Sequence, residues 1–148
     1  MKFTKTLLTT ALFSFSVLSA SPMAYAVSDP KTQFQQAVDA YERSDFITAL
    51  QLWKPLAEQG DANAQFNLAL MYEDGKGVKQ DYFQTVKWYQ KAAEQGNAKA
   101  QFNLGIMYSL GQGVKKDRNL AKMWVSKACE NGYQKSRCDV YRMLNEGE

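Results

Sequence analysis

Apolar positions in the middle of the chain recur with a helical period. From Ala64 they return at Leu68, Met71 and Tyr72, that is at i, i+4, i+7 and i+8, one face of an α-helix. Small and polar residues fence this stretch. Gly60 ends the helix before it, since glycine accepts a left-handed C-cap without steric cost. Asp61 is placed to cap the start. Gly75-Lys76-Gly77 stops the helix and Val78 plugs the turn. Asp81 then caps a second helix, in which Val86, Trp88 and Tyr89 supply large apolar surface. The same order returns at Asn97, Ala100, Leu104, Met107, Tyr108, Gly111, Gly113, Val114, Asp117 and Trp124. No segment shows clear two-residue alternation bounded by turns, so the pattern predicts helix pairs and no sheet.

The return is a repeat. The pentapeptide AQFNL occurs at residues 64–68 and again at 100–104, and residues 57–92 align with 93–128 without a gap at 20 identical positions of 36. A degenerate copy begins at Cys129. The second half of an earlier copy precedes Ala57, where Asp45, Ala49 and Trp53 fall near the positions of Asp81, Thr85 and Trp88. A period in the thirties indicates a solenoid of stacked helix pairs. The units are 27–56 (degenerate), 57–92, 93–128 and 129–148 (a degenerate C-terminal cap). Small residues at Ala64, Ala69, Ala100 and Gly105 allow neighbouring helices to approach closely. Pro55 interrupts the second helix of the first unit; a kink is expected there, with Leu52, Trp53 and Leu56 holding the helix by packing. The last helix, from about Gln134 to Asn145, exposes Lys135, Arg137, Arg142 and Glu146. The tryptophans Trp53, Trp88 and Trp124 read as core.

The N-terminal 26 residues have another character. Lys2 and Lys5 precede an uncharged apolar run from Leu7 to Leu18, and Ala24-Tyr25-Ala26 gives a small-x-small cleavage pattern: a secretory signal peptide, cut after Ala26. The run is too short to span a bilayer, which takes about 20 residues, so no stable membrane insertion is expected after cleavage. Removing these residues takes two lysines and no acids, and leaves 16 basic against 15 acidic side chains. A balance so near neutral gives no electrostatic reason to expect nucleic acid. The 122 remaining residues suit one domain in the periplasm or outside the cell. Both cysteines lie there, and an even count in an exported chain suggests one disulfide.

The repeat resembles the Sel-1-like repeat (SLR) family. The resemblance is carried by Ala57, Gly60, Ala64, Leu68, Tyr72, Gly75, Gly77, Val78, Asp81, Trp88 and Ala92, with their partners 36 residues on, and runs from about Asp45 to the C-terminus. It implies an all-α, right-handed, tetratricopeptide-like α-solenoid of antiparallel helix pairs. It also implies a scaffold or adaptor that binds a protein or peptide partner on a concave face, without catalysis or cofactor. Some exported SLR proteins staple the second helix of one unit to the first helix of the next. Cys129 and Cys138 sit at two such places, Cys138 one position late, so the resemblance implies that bridge with the extra residue absorbed within 132–137. Some cysteine-rich members carry β-lactamase-like or penicillin-binding labels, which makes a cell-wall ligand module, for a muropeptide or a β-lactam, the alternative.

Catalytic chemistry finds little support. The chain has no histidine, which removes Ser-His-Asp and Cys-His catalysis and His-based zinc sites. Ser28-x-x-Lys31 has a β-lactamase-like spacing, but its partner motifs are absent and Pro30 lies inside it. Gly75/Gly77 and Gly111/Gly113 end helices and follow no strand, so they read as turns and not as a phosphate loop. Acids such as Glu58, Asp74 and Glu94 could pair for glycoside cleavage, but repeat position explains Glu58 and Glu94 better, as solvated residues near helix ends.

In such a solenoid the first helices of successive units line the concave side. The candidate partner face is therefore Phe66, Asn67, Leu70 and Asp74, then Phe102, Asn103, Ile106 and Leu110. Phe66 and Phe102 read equally as core. Asn67 and Asn103 read either as a ladder of amides for a partner's backbone or as bonds to an adjacent helix.

Overall fold

Among the described residues each 13-residue helix begins on a side-chain cap. Asp29, Asp45, Asp61, Asp81, Asn97 and Asp117 each accept a hydrogen bond from a backbone N–H in the first turn, satisfying a donor the helix leaves without a partner. The computed structural model describes residues 29–135 and 137–139. Within them the helices are α1 (Pro30–Glu42), α2 (Phe46–Glu58), α3 (Ala62–Asp74), α4 (Tyr82–Glu94), α5 (Ala98–Leu110) and α6 (Arg118–Glu130). Each has 13 residues. Each packs on the next, giving the all-α solenoid of helix pairs that the repeat predicts. We call α1, α3 and α5 the A helices and α2, α4 and α6 the B helices. Residues 1–26, read above as a signal peptide, lie outside the described residues, as do Ser28, Arg142 and Glu146.

The first A helix, α1, is not evident from the repeat period. α2, α4 and α6 start 36 residues apart, and so do α3 and α5, but α1 starts only 32 before α3. The turn between α1 and α2 is residues 43–45, where later units use 75–81 and 111–117. Its start was nevertheless written locally: Asp29 caps the helix and Pro30 opens it, and proline is favoured there because its missing N–H would have no helical partner. Lys31, the described member of the Ser28–Lys31 pair, lies exposed in the first turn of α1.

Counting along the B helices also corrects one register. Trp53 is the eighth residue of α2 and matches Tyr89 in α4, while Leu52 matches Trp88 and Trp124. All three tryptophans are nonetheless buried. α2 runs through Pro55 to Glu58, with Trp53, Leu56 and Ala57 buried around the ring.

The core forms where A and B helices meet. Leu68, Met71, Leu104, Met107 and Tyr89 are fully buried, each contributing about 1.5–3 kcal/mol by removal from water. Ala64, Ala69 and Ala100 have no exposed surface. At Gly105 an added Cβ would stand 2.7 Å from Val125 Cγ2, so α5 and α6 touch too closely for any side chain. Gly77 has φ 71° and its place for a Cβ lies 2.7 Å from the Phe46 carbonyl oxygen, which locks the turn before α4 onto the start of α2. Cys129, near the end of α6, is bonded to Cys138, in the helical turn that follows, with their Cα atoms 6.0 Å apart.

Candidate binding face

The residues singled out for a partner occupy the fifth, sixth, ninth and thirteenth places of α3 and α5. The structure treats the two sets differently. On α3, Phe66 and Asn67 line an open hollow of about 460 Å³ that α1 completes with Phe34 and Val38, and α5 with Asn97 and Lys99. Asn67 and Leu70 also line a second hollow of about 280 Å³, with Val38, Tyr41 and Glu42 of α1 and Trp53 of α2. The two hollows share Val38 and Asn67 and follow the A helices. Asp74, exposed at the end of α3, pairs with Lys76 at 3.0 Å.

On α5 most of the corresponding surface is already used. Phe102 is buried and stacks on Tyr133 with ring centroids 4.4 Å apart. Ile106 packs against the small cluster of Phe102, Val125 and Ala128. Asn103 donates from Nδ2 to the Tyr89 hydroxyl at 3.0 Å. Leu110 stands 60% exposed. Of the two readings open for each residue, Phe102 takes the core and Asn103 the bond to a neighbouring helix. Phe66 and Asn67 keep surface in the hollows, and no hydrogen bond engages the Asn67 side chain among the described residues.

The polar groups near this face are unevenly satisfied. The Tyr89 hydroxyl donates to the Glu73 carboxylate while accepting from Asn103. Burial first, then the hydrogen bond to Glu73 and its charge, pushes its pKa well above the ordinary tyrosine value. Lys76 donates to the Tyr41 hydroxyl at 2.9 Å; that bond, then the one to Asp74, raises its pKa. The Trp53 indole N–H is buried with no partner among the described residues.

A second polar system was missed in the sequence although it lies inside AQFNL. Gln65 and Gln101 are buried and donate to the carbonyls of Ala57 and Ala93, at 3.0 and 2.9 Å. Their own carbonyls accept from Gln95 and Asn131, the C-caps of α4 and α6. These amides stitch each A helix to the B helices before and after it. The signal was present: a polar residue inside an apolar stripe, repeated with its surroundings.

Among the described residues no group of three or more His, Cys, Asp or Glu side chains stands together as a metal site, and no helix is long and apolar enough to cross a membrane.

The profile of the Sel1 repeat matches residues 36–61, 62–97 and 98–133. The chain belongs to the Sel1 repeat family. Its repeats thus begin with α3 and α5 in the later units. Solved SLR structures agree. The chain is 35% identical, with a TM-score of 0.66 over 70% of its length, to c5321, a protective antigen present in uropathogenic Escherichia coli strains that displays an SLR fold. It has the same identity, TM-score and coverage against a Sel1 repeat protein from Oxalobacter formigenes. It spans only 23% and 31% of those two proteins. Helicobacter pylori cysteine rich protein B is 25% identical with a TM-score of 0.60, over 76% of this chain and 94% of that one. No curated protein sequence matches the chain. The Sel1 repeat family generally serves as a protein-interaction scaffold and is generally non-catalytic.

Proposed function

We propose that this Sel1-repeat chain is an exported scaffold that binds a protein or peptide partner along the A-helix face, without turnover. The observation that carries this reading is the pair of adjoining hollows between α1 and α3, with the amide of Asn67 unengaged between them. Such a face offers apolar contact and hydrogen bonding together, as peptide recognition requires. The Cys129–Cys138 bridge suits an oxidising compartment and so supports export.

The test places a photo-crosslinking residue at Phe66, in the hollow, and separately at Ile47, which is 57% exposed on a B helix. The full-length chain is then expressed in its own cells. The expected result is one defined protein adduct from position 66 and none from position 47, with the recovered chain beginning at Val27. No adduct from position 66, or the same adducts from both positions, overturns the partner face. A chain recovered with residues 1–26 still attached overturns export.

A further inference from the structure

The smaller hollow carries more than the general reading. In α2 and α4 the eighth residue reaches between two A helices. In the second unit that residue is Tyr89, whose hydroxyl is met by Glu73, twelfth in α3, and by Asn103, sixth in α5. The same three positions in the first unit are Trp53, Tyr41 and Asn67, and all three line the hollow. Here the polar groups do not meet. Tyr41 packs its ring against Trp53 with centroids 5.5 Å apart and takes a hydrogen bond from Lys76 on its hydroxyl. Among the described residues the Trp53 N–H, on a residue 3% exposed, has no acceptor, and the Asn67 amide has no partner. A buried donor left without an acceptor is costly in a finished fold.

Charge identifies the missing group. Glu42 is the last residue of α1 and lines the hollow, and no basic residue precedes it in the last turn. A carboxylate at a helix C-terminus sits where exposed carbonyls already make the potential negative, so it contributes little to the helix and favours an incoming cation. The next residue, Arg43, acts on Asp45, and Lys76 is engaged by Asp74 and Tyr41. Between Glu42 and Trp53, Val38 and Leu70 supply apolar wall, which suits the methylene stem of lysine or arginine. A volume of about 280 Å³ falls below the range of roughly 300–1,000 Å³ for small-molecule sites. It accommodates one side chain of a longer ligand.

Resting on the scaffold reading, we infer that this hollow is a subsite for one basic residue of an extended peptide. Its cationic head lies at Glu42, the stem lies along Val38 and Leu70, and Asn67 pairs with the adjoining peptide group.

The probe is a positional-scanning library of acetylated, amidated octapeptides, presented to the full-length gene product as purified. Wild type is expected to retain peptides enriched in Lys or Arg at one position. Glu42→Gln abolishes that enrichment while binding persists, and Asn67→Ala weakens every retained peptide by about tenfold, the loss of one hydrogen bond. In ¹⁵N spectra the indole signal missing from Trp53→Phe moves when a retained peptide is added, and those of Trp88 and Trp124 stay. Retention without a basic preference, a preference unchanged by Glu42→Gln, or a stationary Trp53 signal each overturns the subsite. Retention of no peptide also overturns it, and the Phe66 crosslink then decides separately whether the scaffold reading survives.

Discussion

Replacing Tyr89 with Phe tests how the second and third units are joined. The change keeps the ring, and with it the contact to Phe66 at 5.7 Å between centroids. It removes one hydroxyl that links three helices: the donor to Glu73 on α3 and the acceptor for Asn103 on α5. A hydrogen bond to a charged group is worth about 1.5–3 kcal/mol, and a neutral one about 0.5–1.5 kcal/mol. Glu73 and Asn103 are both half-exposed and water replaces part of what they lose. The expected net cost is therefore about 2 kcal/mol, which for a domain of this size lowers Tm by about 8 °C. Urea unfolding followed by circular dichroism measures it. A cost below about 0.5 kcal/mol would show that the hydroxyl bridge joins nothing.

The same variant has a pH signature whose sign is fixed. Burial, then the hydrogen bond to Glu73 and its charge, raise the folded pKa of Tyr89 above its ordinary value of 10.0. Below that value both states hold the proton and the stabilisation is fully present. Above it the unfolded chain loses the proton while folded Tyr89 keeps it, so stability falls as pH rises, by at most about 1.36 kcal/mol per pH unit for one proton. Tyr89→Phe lacks this slope. The difference in stability between wild type and variant should be constant from about pH 7 to 9 and shrink above about pH 10. A difference that stays flat to about pH 11, or grows, refutes the account.

Three further outcomes follow from particular contacts. Reducing the Cys129–Cys138 bridge, which spans 9 residues of sequence, should cost about 2.5–3 kcal/mol by the chain-entropy estimate; thermal melts with and without reductant, alongside thiol titration, check it. Gly77→Ala should cost more than Gly96→Ala, because both have positive φ but only at Gly77 would the new Cβ strike backbone, with nothing within 4 Å at Gly96. The left-handed strain alone is about 1–2 kcal/mol, and equal losses by denaturant unfolding would contradict the close approach of the turn to α2. Gln101→Leu removes one bond to the Ala93 carbonyl, which keeps the bond from the Gly96 N–H, and the acceptor of the Asn131 amide, and should cost about 0.5–1.5 kcal/mol; an unchanged unfolding midpoint would mean that the amide stitch is dispensable.

What was legible in the sequence was whatever is set within one unit. The caps at Asp61, Asp81, Asn97 and Asp117, the helix stops at Gly75 and Gly111, and the buried tryptophans all follow from short-range spacing. Whatever depends on a neighbouring unit was not. The short turn at 43–45 breaks the period and hid α1. The identity of Phe66 and Phe102 concealed different fates, because Phe102 meets Tyr133 in the following unit whereas Phe66 meets Tyr89 and an open hollow. The buried role of Gln65 and Gln101 was hidden by polarity, since a glutamine reads as surface until the carbonyl it caps is seen.

The repeat therefore specifies a backbone, and one position on the B helices specifies what each copy does with it. Asn67 and Asn103 are the same residue at the same place in equal helices. Asn103 is bound because the eighth residue of α4 is a tyrosine, whose hydroxyl accepts. Asn67 has no such partner because the eighth residue of α2 is a tryptophan, whose indole nitrogen can only donate. Exchanging the two aromatics should exchange the two behaviours. With Trp53→Tyr a hydroxyl enters the first unit that Asn67 can satisfy, so stability should hold or rise while the subsite loses the free Asn67 amide. Binding that survives Trp53→Tyr intact would show that the Asn67 amide takes no part in recognition.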